Sequence, residues 1–106
     1  MQEISVDELA RWRSEQKAFV LLDVREPHEL TLASLDGATH VPMRDLPARL
    51  NELDKDAEIA VLCHHGGRSA QVARFLTQHG FANVYNVDGG INEYATRIDP
   101  SIPTYR

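Results

Sequence analysis

Short apolar runs alternate with amphipathic segments along the chain, and the two patterns predict different elements. The apolar runs are bounded by polar and turn-forming residues, which is typical of buried strands. They predict four strands, at residues 18–24, 38–42, 58–63 and 83–87. The amphipathic segments repeat apolar residues three or four positions apart, which is typical of helices with one buried face. They predict helices at residues 4–14, 26–33, 43–53, 69–80 and 89–97, followed by an extended tail.

Local signals mark the ends of several of these helices. Ser5 is a good N-cap, and Glu8 follows three residues later, which predicts a capping box. Pro27 suits the first turn of the second helix. Gly80 suits the end of the fourth helix, since glycine accepts the left-handed backbone of a C-terminal cap.

The alternation of strands and helices predicts a class of fold. Strands joined through helices by short connections imply βαβ units and a mostly parallel sheet. Ligands bind such sheets beyond the carboxyl ends of the strands. Cys63 is the last residue of the run at 58–63, which we expect to be a central strand. The pattern therefore places the one thiol of the chain at the edge of the sheet where ligands bind.

Composition agrees with a folded α/β domain. The 106 residues are 42% hydrophobic and 25% charged, close to the globular average, so we expect one domain over residues 1–106. No apolar run approaches the roughly 20 residues that cross a bilayer, and the N-terminus lacks a secretion signal. A lone cysteine forms no internal disulfide, which indicates a reducing compartment. We therefore expect a cytoplasmic protein that binds no membrane.

Charge is distributed unevenly. The net charge of −5 argues against general nucleic-acid binding. No Asp or Glu occurs between Glu58 and Asp88, a window that includes Cys63, Arg68 and Arg74. This window predicts a place for an anionic substrate beside the thiol. An equally good interpretation is that a buried strand and helix simply contain few acids.

The segment after the strand, CHHGGRS, is the strongest candidate for chemistry. A thiol with the ordinary pKa of about 8.5 is mostly protonated at neutral pH and needs help to act as a nucleophile. Gly66 and Gly67 allow the loop to curl with its N–H groups inward. The helix that begins near Ser69 adds its dipole and free N–H groups, and Arg68 adds charge. The loop thus predicts a cradle for a thiolate or a bound anion on Cys63.

Other interpretations of this segment are weaker. Cys63 alone could be a small core residue. Of His64 and His65, adjacent in a loop, we expect one to face solvent. Three consecutive ligands lack the spacing of a zinc site, so we expect no metal. Four residues separate Cys63 from Arg68, one fewer than in the Cys-x5-Arg loop of cysteine phosphatases, which favours a target smaller than phosphate.

These residues resemble the rhodanese family of sulfurtransferases. CHHGGRS resembles the family's active-site loop, C-x-x-G-x-R-S. LLDVREPHE resembles its D-V-R-x-x-x-E segment, DGATHVP its G-A-x-x-I-P strand, and VDGGINEY its G-G-x-x-x-W motif. The chain departs from the family at residues 33–36, which lack the usual G-H-I-P, and at Tyr94, where the family often has Trp. The whole resembles a single-domain bacterial rhodanese.

The resemblance implies a fold and a reaction. The fold is one five-stranded parallel sheet with helices on both faces. In the reaction, the Cys63 thiolate takes the outer sulfur of an anionic donor such as thiosulfate, and the persulfide passes it to cyanide or a thiol, or to a sulfur-acceptor protein. The loop residues His64, His65, Gly66, Gly67, Arg68 and Ser69 would hold the persulfide and the donor. No metal or organic cofactor is implied.

Three charged residues near the second strand have a structural interpretation. We expect Asp23 to accept hydrogen bonds from a loop and Arg25 to pair with Glu29 four residues on. Trp12, Phe81 and Tyr85 are expected in the core rather than in the site.

Two functions of other classes remain open at this point. One is a non-catalytic rhodanese-like module that binds a partner or carries sulfur. The other is a phosphatase or arsenate reductase, which a longer loop would favour. The role of Arg68 is also open, because it could bind the donor or brace the loop.

Overall fold

One parallel sheet organises the molecule. The computed structural model describes all residues, 1–106. Its strands are β1 (Gln2–Ile4), β2 (Val20–Asp23), β3 (Thr39–His40), β4 (Ile59–Leu62) and β5 (Val84–Val87). Every neighbouring pair is parallel, in the order β1-β5-β4-β2-β3. The predicted five-stranded sheet is confirmed, and β4 lies at its centre, where all four of its residues are buried.

Helices cover both faces of the sheet. The α-helices are α1 (Val6–Ser14), α2 (Pro27–Leu32), α3 (Gly67–Gln78) and α4 (Gly90–Arg97), and Met43–Glu52 forms a 3₁₀ segment. Successive strand residues point to opposite faces, so Ala60 and Leu62 pack with α1 and α4 in one core, which includes Leu9, Trp12, Ile91 and Tyr94. Val61 and Cys63 pack with α3 and the 3₁₀ segment in the other core, which includes Leu46, Val72, Leu76 and Phe81. The thiol therefore faces α3.

Several predicted elements differ in detail. The strand β1 is missing from the pattern, because three residues are too few to show a period. The segment at 43–52 is a 3₁₀ helix with non-helical backbone at Arg49 rather than an α-helix, since Pro47 removes one backbone donor. The tail forms turns over residues 98–102 before it becomes irregular at 103–106.

The capping prediction for α1 is half right. The Oγ of Ser5 accepts the Glu8 N–H at 3.1 Å. The Glu8 carboxylate does not return the bond to Ser5, because it pairs with Arg11 at 2.7 Å. None of the helices combines the length and the apolar composition that crossing a membrane requires.

Candidate active site

The site is built around the sulfur of Cys63. The residue directly follows β4 at the carboxyl end of the sheet, as expected, and is 1% exposed. Its Sγ accepts the backbone N–H of Gly66 at 3.0 Å and lies 3.3 Å from the Oγ of Ser69. The side chain is buried, but the loop's own polar groups surround it. This arrangement differs from an ordinary core cysteine, whose sulfur contacts only apolar atoms.

Of the two glycines in the loop, only Gly66 occupies a position that requires glycine. Gly66 has φ +106°, in the region that other residues rarely adopt, and a Cβ there would lie 3.2 Å from the backbone nitrogen of Gly89. Gly67 has no positive φ, and a Cβ there would meet nothing within 4 Å. Gly66 alone therefore provides the curl that we predicted from both glycines.

Helix α4 fixes the direction of the loop's peptide groups. Two N–H groups of its first turn, from Ile91 and Asn92, donate to the carbonyls of Cys63 at 2.9 Å and His64 at 3.1 Å. Gly90 has φ +61°, and a Cβ on it would overlap both carbonyls. Because C=O and N–H point in opposite directions across a trans peptide, the N–H groups that follow these carbonyls point away from α4.

The remaining backbone donors of the loop are free. The N–H groups of His64 and His65 have no acceptor in the chain. The same holds for Gly67, Arg68 and Ser69, which form the first turn of α3. Unpaired N–H groups at the start of a helix, together with its dipole, are a ready binding site for an anion. The loop can therefore receive negative charge through backbone dipoles.

Arg68 is held by an acid from another element. Its two terminal nitrogens donate to the two carboxylate oxygens of Glu29, at 2.6 and 2.9 Å. The Arg68 bond, followed by a bond from Tyr105 at 2.7 Å, lowers the pKa of Glu29 to about 2. The charge of Arg68, in the window without acids near Cys63, is therefore paired with an acid of α2, which the linear distribution of charge did not reveal.

The predicted pair between Arg25 and Glu29 is wrong. Arg25 is fully buried, and its guanidinium pairs with Asp23 at 2.6 Å. Burial lowers the pKa of Arg25, but the bonds to Asp23 and Tyr105 and their charges together offset it, so the pKa lies above its usual value. Arg25 reaches only the backbone carbonyl of Glu29, at 3.3 Å, because the Glu29 carboxylate is taken by Arg68. Asp23 does accept a loop N–H, that of Arg25, at 3.1 Å.

The two histidines have different surroundings, as predicted. His65 is exposed, whereas His64 is 8% exposed and stacks on the Tyr105 ring with centroids 3.9 Å apart. Burial, and next the neighbouring His65, lowers the pKa of His64, so its ring is neutral at pH 7. An open polar cleft of about 700 Å³ lies between these rings and the tail, which leaves the outer side of the loop open to small solutes.

Three residues of the site have no counterpart in our prediction. Tyr105 returns from the tail, and its hydroxyl accepts from Arg25 at 3.0 Å and donates to Glu29. Burial, rather than any single bond, dominates in raising the pKa of Tyr105 to about 12. Asn86 on β5 accepts a hydrogen bond from the Ser69 hydroxyl and donates one to the Glu3 carboxylate on β1. In the sequence, only Asn86 gave a hint of this role, because it is a polar residue between apolar residues of the predicted strand at 83–87.

No group of three or more His, Cys, Asp or Glu side chains comes together anywhere in the structure.

The fold and site together define a class: a parallel α/β protein with one cysteine in a donor-lined loop at the carboxyl edge of its sheet. The chain belongs to the rhodanese-like family, whose domain model matches residues 5–97.

Relatives of this family cover the chain to different extents. A chloroplastic protein of Arabidopsis thaliana, "Rhodanese-like/PpiC domain-containing protein 12", is 47% identical over 89 residues, which are 80% of this chain and 30% of that protein. The chain thus spans less than a third of that relative. A protein of Allochromatium vinosum named "Sulfurtransferase" is 32% identical over 90% of this chain and 89% of its own length.

A solved structure gives the same fold. The crystal structure of SSP1007 from Staphylococcus saprophyticus superposes with a TM-score of 0.85 at 33% identity, covering 97% of this chain and 99% of that one.

Replacing Gly90 tests the contact between α4 and the loop. We expect Gly90→Ala to lower the free energy of unfolding by about 3 kcal/mol, because a Cβ would push against two backbone carbonyls at a positive φ. Denaturant unfolding measures it. The control is Gly37→Ala, also at positive φ (+83°) but with nothing within 4 Å, which should lose only about 1 kcal/mol. Equal losses would contradict the contact.

Replacing Glu29 tests the ion pair with Arg68. The pKa of Glu29 is lowered from 4.5 to about 2, so its contribution is complete above pH 4.5 and is lost as the pH falls toward 2. With Arg68 partly exposed, we expect Glu29→Gln to remove about 2 kcal/mol of stability at pH 7 and to flatten the acid limb of the stability curve. Urea unfolding between pH 2 and pH 7 measures this.

Its control is Glu52→Gln. Glu52 also binds an arginine through two oxygens, at 2.8 and 2.9 Å from Arg49, but this pair is exposed. Its loss should hardly change the curve. The same steep acid limb in wild type and Glu29→Gln would refute the assignment.

Proposed function

We propose that this protein is a sulfurtransferase that moves a sulfane sulfur from thiosulfate or a similar donor to a thiophilic acceptor through a persulfide on Cys63. The observation that carries the proposal is the hydrogen bond from the Gly66 N–H to the Cys63 sulfur, together with five further loop N–H groups that have no acceptor. Relatives named as sulfurtransferases support the same conclusion, including a protein of Pseudomonas entomophila named "Thiosulfate sulfurtransferase GlpE", 37% identical over 71 residues.

In the first half-reaction, Cys63 loses its proton to solvent and its thiolate attacks the outer sulfur of thiosulfate. A bond forms between Sγ and that sulfur, the sulfur–sulfur bond of thiosulfate breaks, and sulfite leaves with the electron pair. The terminal sulfur of the resulting persulfide carries one negative charge. The free N–H groups at the start of α3 are the donors that stabilise this charge.

In the second half-reaction, a nucleophile attacks the terminal sulfur. With cyanide as acceptor, a carbon–sulfur bond forms, the persulfide bond breaks, and the thiolate of Cys63 returns with thiocyanate as product. A thiol, on a small molecule or on a sulfur-acceptor protein, would take the sulfur in the same way. Neither half-reaction needs a metal or an organic cofactor. A single thiol suits a reducing compartment, so we place the reaction in the cytoplasm.

The loop residues divide into two roles in this proposal. The backbone N–H groups of residues 64–69 supply donors, whereas the Arg68 side chain has a separate role. Arg68 braces the loop, because Glu29 engages both of its terminal nitrogens. An arginine already paired in this way has little charge to offer the donor. The pairs of Asp23 with Arg25 and of Glu29 with Arg68 then act as a scaffold below the loop.

The covalent intermediate is directly measurable. After exposure to thiosulfate and removal of excess reagent, the intact mass should increase by one sulfur atom, and cyanide should reverse the gain while producing thiocyanate. Cys63→Ser is the matched control and should gain nothing. An unchanged wild-type mass, with no sulfite released, would leave a non-catalytic binding module as the better description. Faster turnover of an aryl phosphate than of thiosulfate would instead indicate a phosphatase.

A further inference from the structure

A chain of polar side chains, buried from Asn86 inward, leads from β1 to the sulfur of Cys63. Asn86 lies on β5 and is 2% exposed. The parallel register pairs it with Glu3 on β1, so the two side chains are neighbours on the same face of the sheet. The Oδ1 of Asn86 lies 2.5 Å from the Oγ of Ser69, which in turn lies 3.3 Å from the Sγ of Cys63.

The orientation of the Asn86 amide follows from two of its partners. One is a carboxylate oxygen of Glu3, at 2.9 Å, and the other is the backbone carbonyl of Gly66, at 3.3 Å. Both partners can only accept a hydrogen bond. The NH₂ group of Asn86 must therefore face them, since an inverted amide would bring oxygen against oxygen twice. The carbonyl oxygen of Asn86 consequently faces Ser69.

This orientation settles the direction of the next bond. The hydroxyl of Ser69 has one hydrogen, and the carbonyl oxygen of Asn86 has none to give. Ser69 therefore donates to Asn86. Toward Cys63 it presents a lone pair, so it can accept from the thiol S–H and has no hydrogen left for a thiolate.

We propose that Glu3 and Asn86 are positioning residues that hold the Ser69 hydroxyl as an acceptor toward Cys63, which favours the protonated thiol in the resting protein. The thiolate then depends on backbone donors, of which the N–H of Gly66 already bonds the sulfur. A thiolate gains the Ser69 hydroxyl only if that hydroxyl turns away from Asn86 and leaves the Asn86 oxygen unpaired.

The consequence for sulfur transfer rests on the proposed function. In the persulfide the Sγ carries no hydrogen, so the lone pair of Ser69 faces another lone pair. The network thus gives the persulfide no bond from this side chain. A sulfur held in this way is easier to pass on to an acceptor.

The other charged groups near the sulfur make no hydrogen bond to the Ser69 hydroxyl. Arg68 on α3 is paired with Glu29 on α2, with Tyr105 from the tail on the same carboxylate. His64 and His65 follow Cys63 in the loop, and both contact other rings rather than Ser69. Glu3 is the one acid in contact with Asn86, and it acts on Ser69 only through that amide.

The test is the pH dependence of Cys63 alkylation by iodoacetamide, which needs no sulfur transfer. Asn86→Leu keeps the volume roughly and removes the acceptor, so the hydroxyl of Ser69 is free to turn to the sulfur. We expect its alkylation at pH 7 to be about tenfold faster than in wild type, with the midpoint moved to lower pH, the effect of one hydrogen bond to a charged atom.

One variant background acts as a control, and Glu3→Gln is a second test. In Ser69→Ala protein, adding Asn86→Leu should change nothing, because the hydroxyl that Asn86 directs is gone. Glu3→Gln alters an exposed residue that can then donate, which allows the Asn86 amide to invert, and we expect a rise of about threefold. If Asn86→Leu does not fold, Glu3→Gln against wild type carries the test.

Three outcomes would overturn the inference. They are an unchanged pH profile in Asn86→Leu, a midpoint moved to higher pH, and an equal change on the Ser69→Ala background. The proposed function is judged separately. If the alkylation shift appears but thiosulfate adds no sulfur to Cys63, the network stands and the sulfurtransferase proposal falls. If Cys63 gains sulfur without any alkylation shift, the sulfurtransferase proposal stands and the network falls.

Discussion

The bonds from the start of α4 to the carbonyls of Cys63 and His64 are the constraint on which the site depends. A loop of this length could direct either its carbonyl oxygens or its N–H groups at the sulfur. Fixing two carbonyls on α4 turns the following N–H groups the other way. Gly90 is the residue that allows this approach, because any Cβ would occupy the space of both oxygens.

Below the loop, a layer of ion pairs holds the flanking elements together. Asp23 and Arg25 form a buried pair at the end of β2, and Glu29 on α2 clamps Arg68 at the start of α3. Tyr105 bonds both Arg25 and Glu29 and so connects the two pairs. The charged side chains of Asp23, Arg25, Glu29 and Arg68 are thus paired with one another. Backbone dipoles, rather than an unpaired cation, are left to receive an anion.

The sequence pattern predicted the parts of this structure that depend on local order. The run at 58–63 predicted a central strand with Cys63 as its last residue at the ligand edge, and in the structure Cys63 directly follows β4 at that edge. The direction of the Arg68 guanidinium could not be predicted in this way. Its partner Glu29 is 39 positions away in the chain. The spacing of four residues predicted that Arg25 would pair with Glu29, but in the structure Arg25 pairs with the buried Asp23.

Other features that the sequence pattern did not predict also depend on contacts between residues distant in the chain. The strand β1 is stabilised by its pairing with β5 rather than by its own three residues. The 3₁₀ segment follows from Pro47 and from packing of Leu46 against the core. Tyr105 reads as an ordinary tail residue until the fold brings it to His64, and the role of Asn86 appears only when β1 supplies Glu3.

The central claim is that the loop's backbone donors receive the charge of a sulfur bound to Cys63. Amide ¹H–¹⁵N spectra of the protein before and after loading with thiosulfate test it most directly. The account predicts downfield proton shifts in the amides of residues 64–69, largest in the first turn of α3, that revert when cyanide removes the sulfur. A loaded protein in which these amides stay in place, while shifts occur elsewhere in the chain, would contradict it.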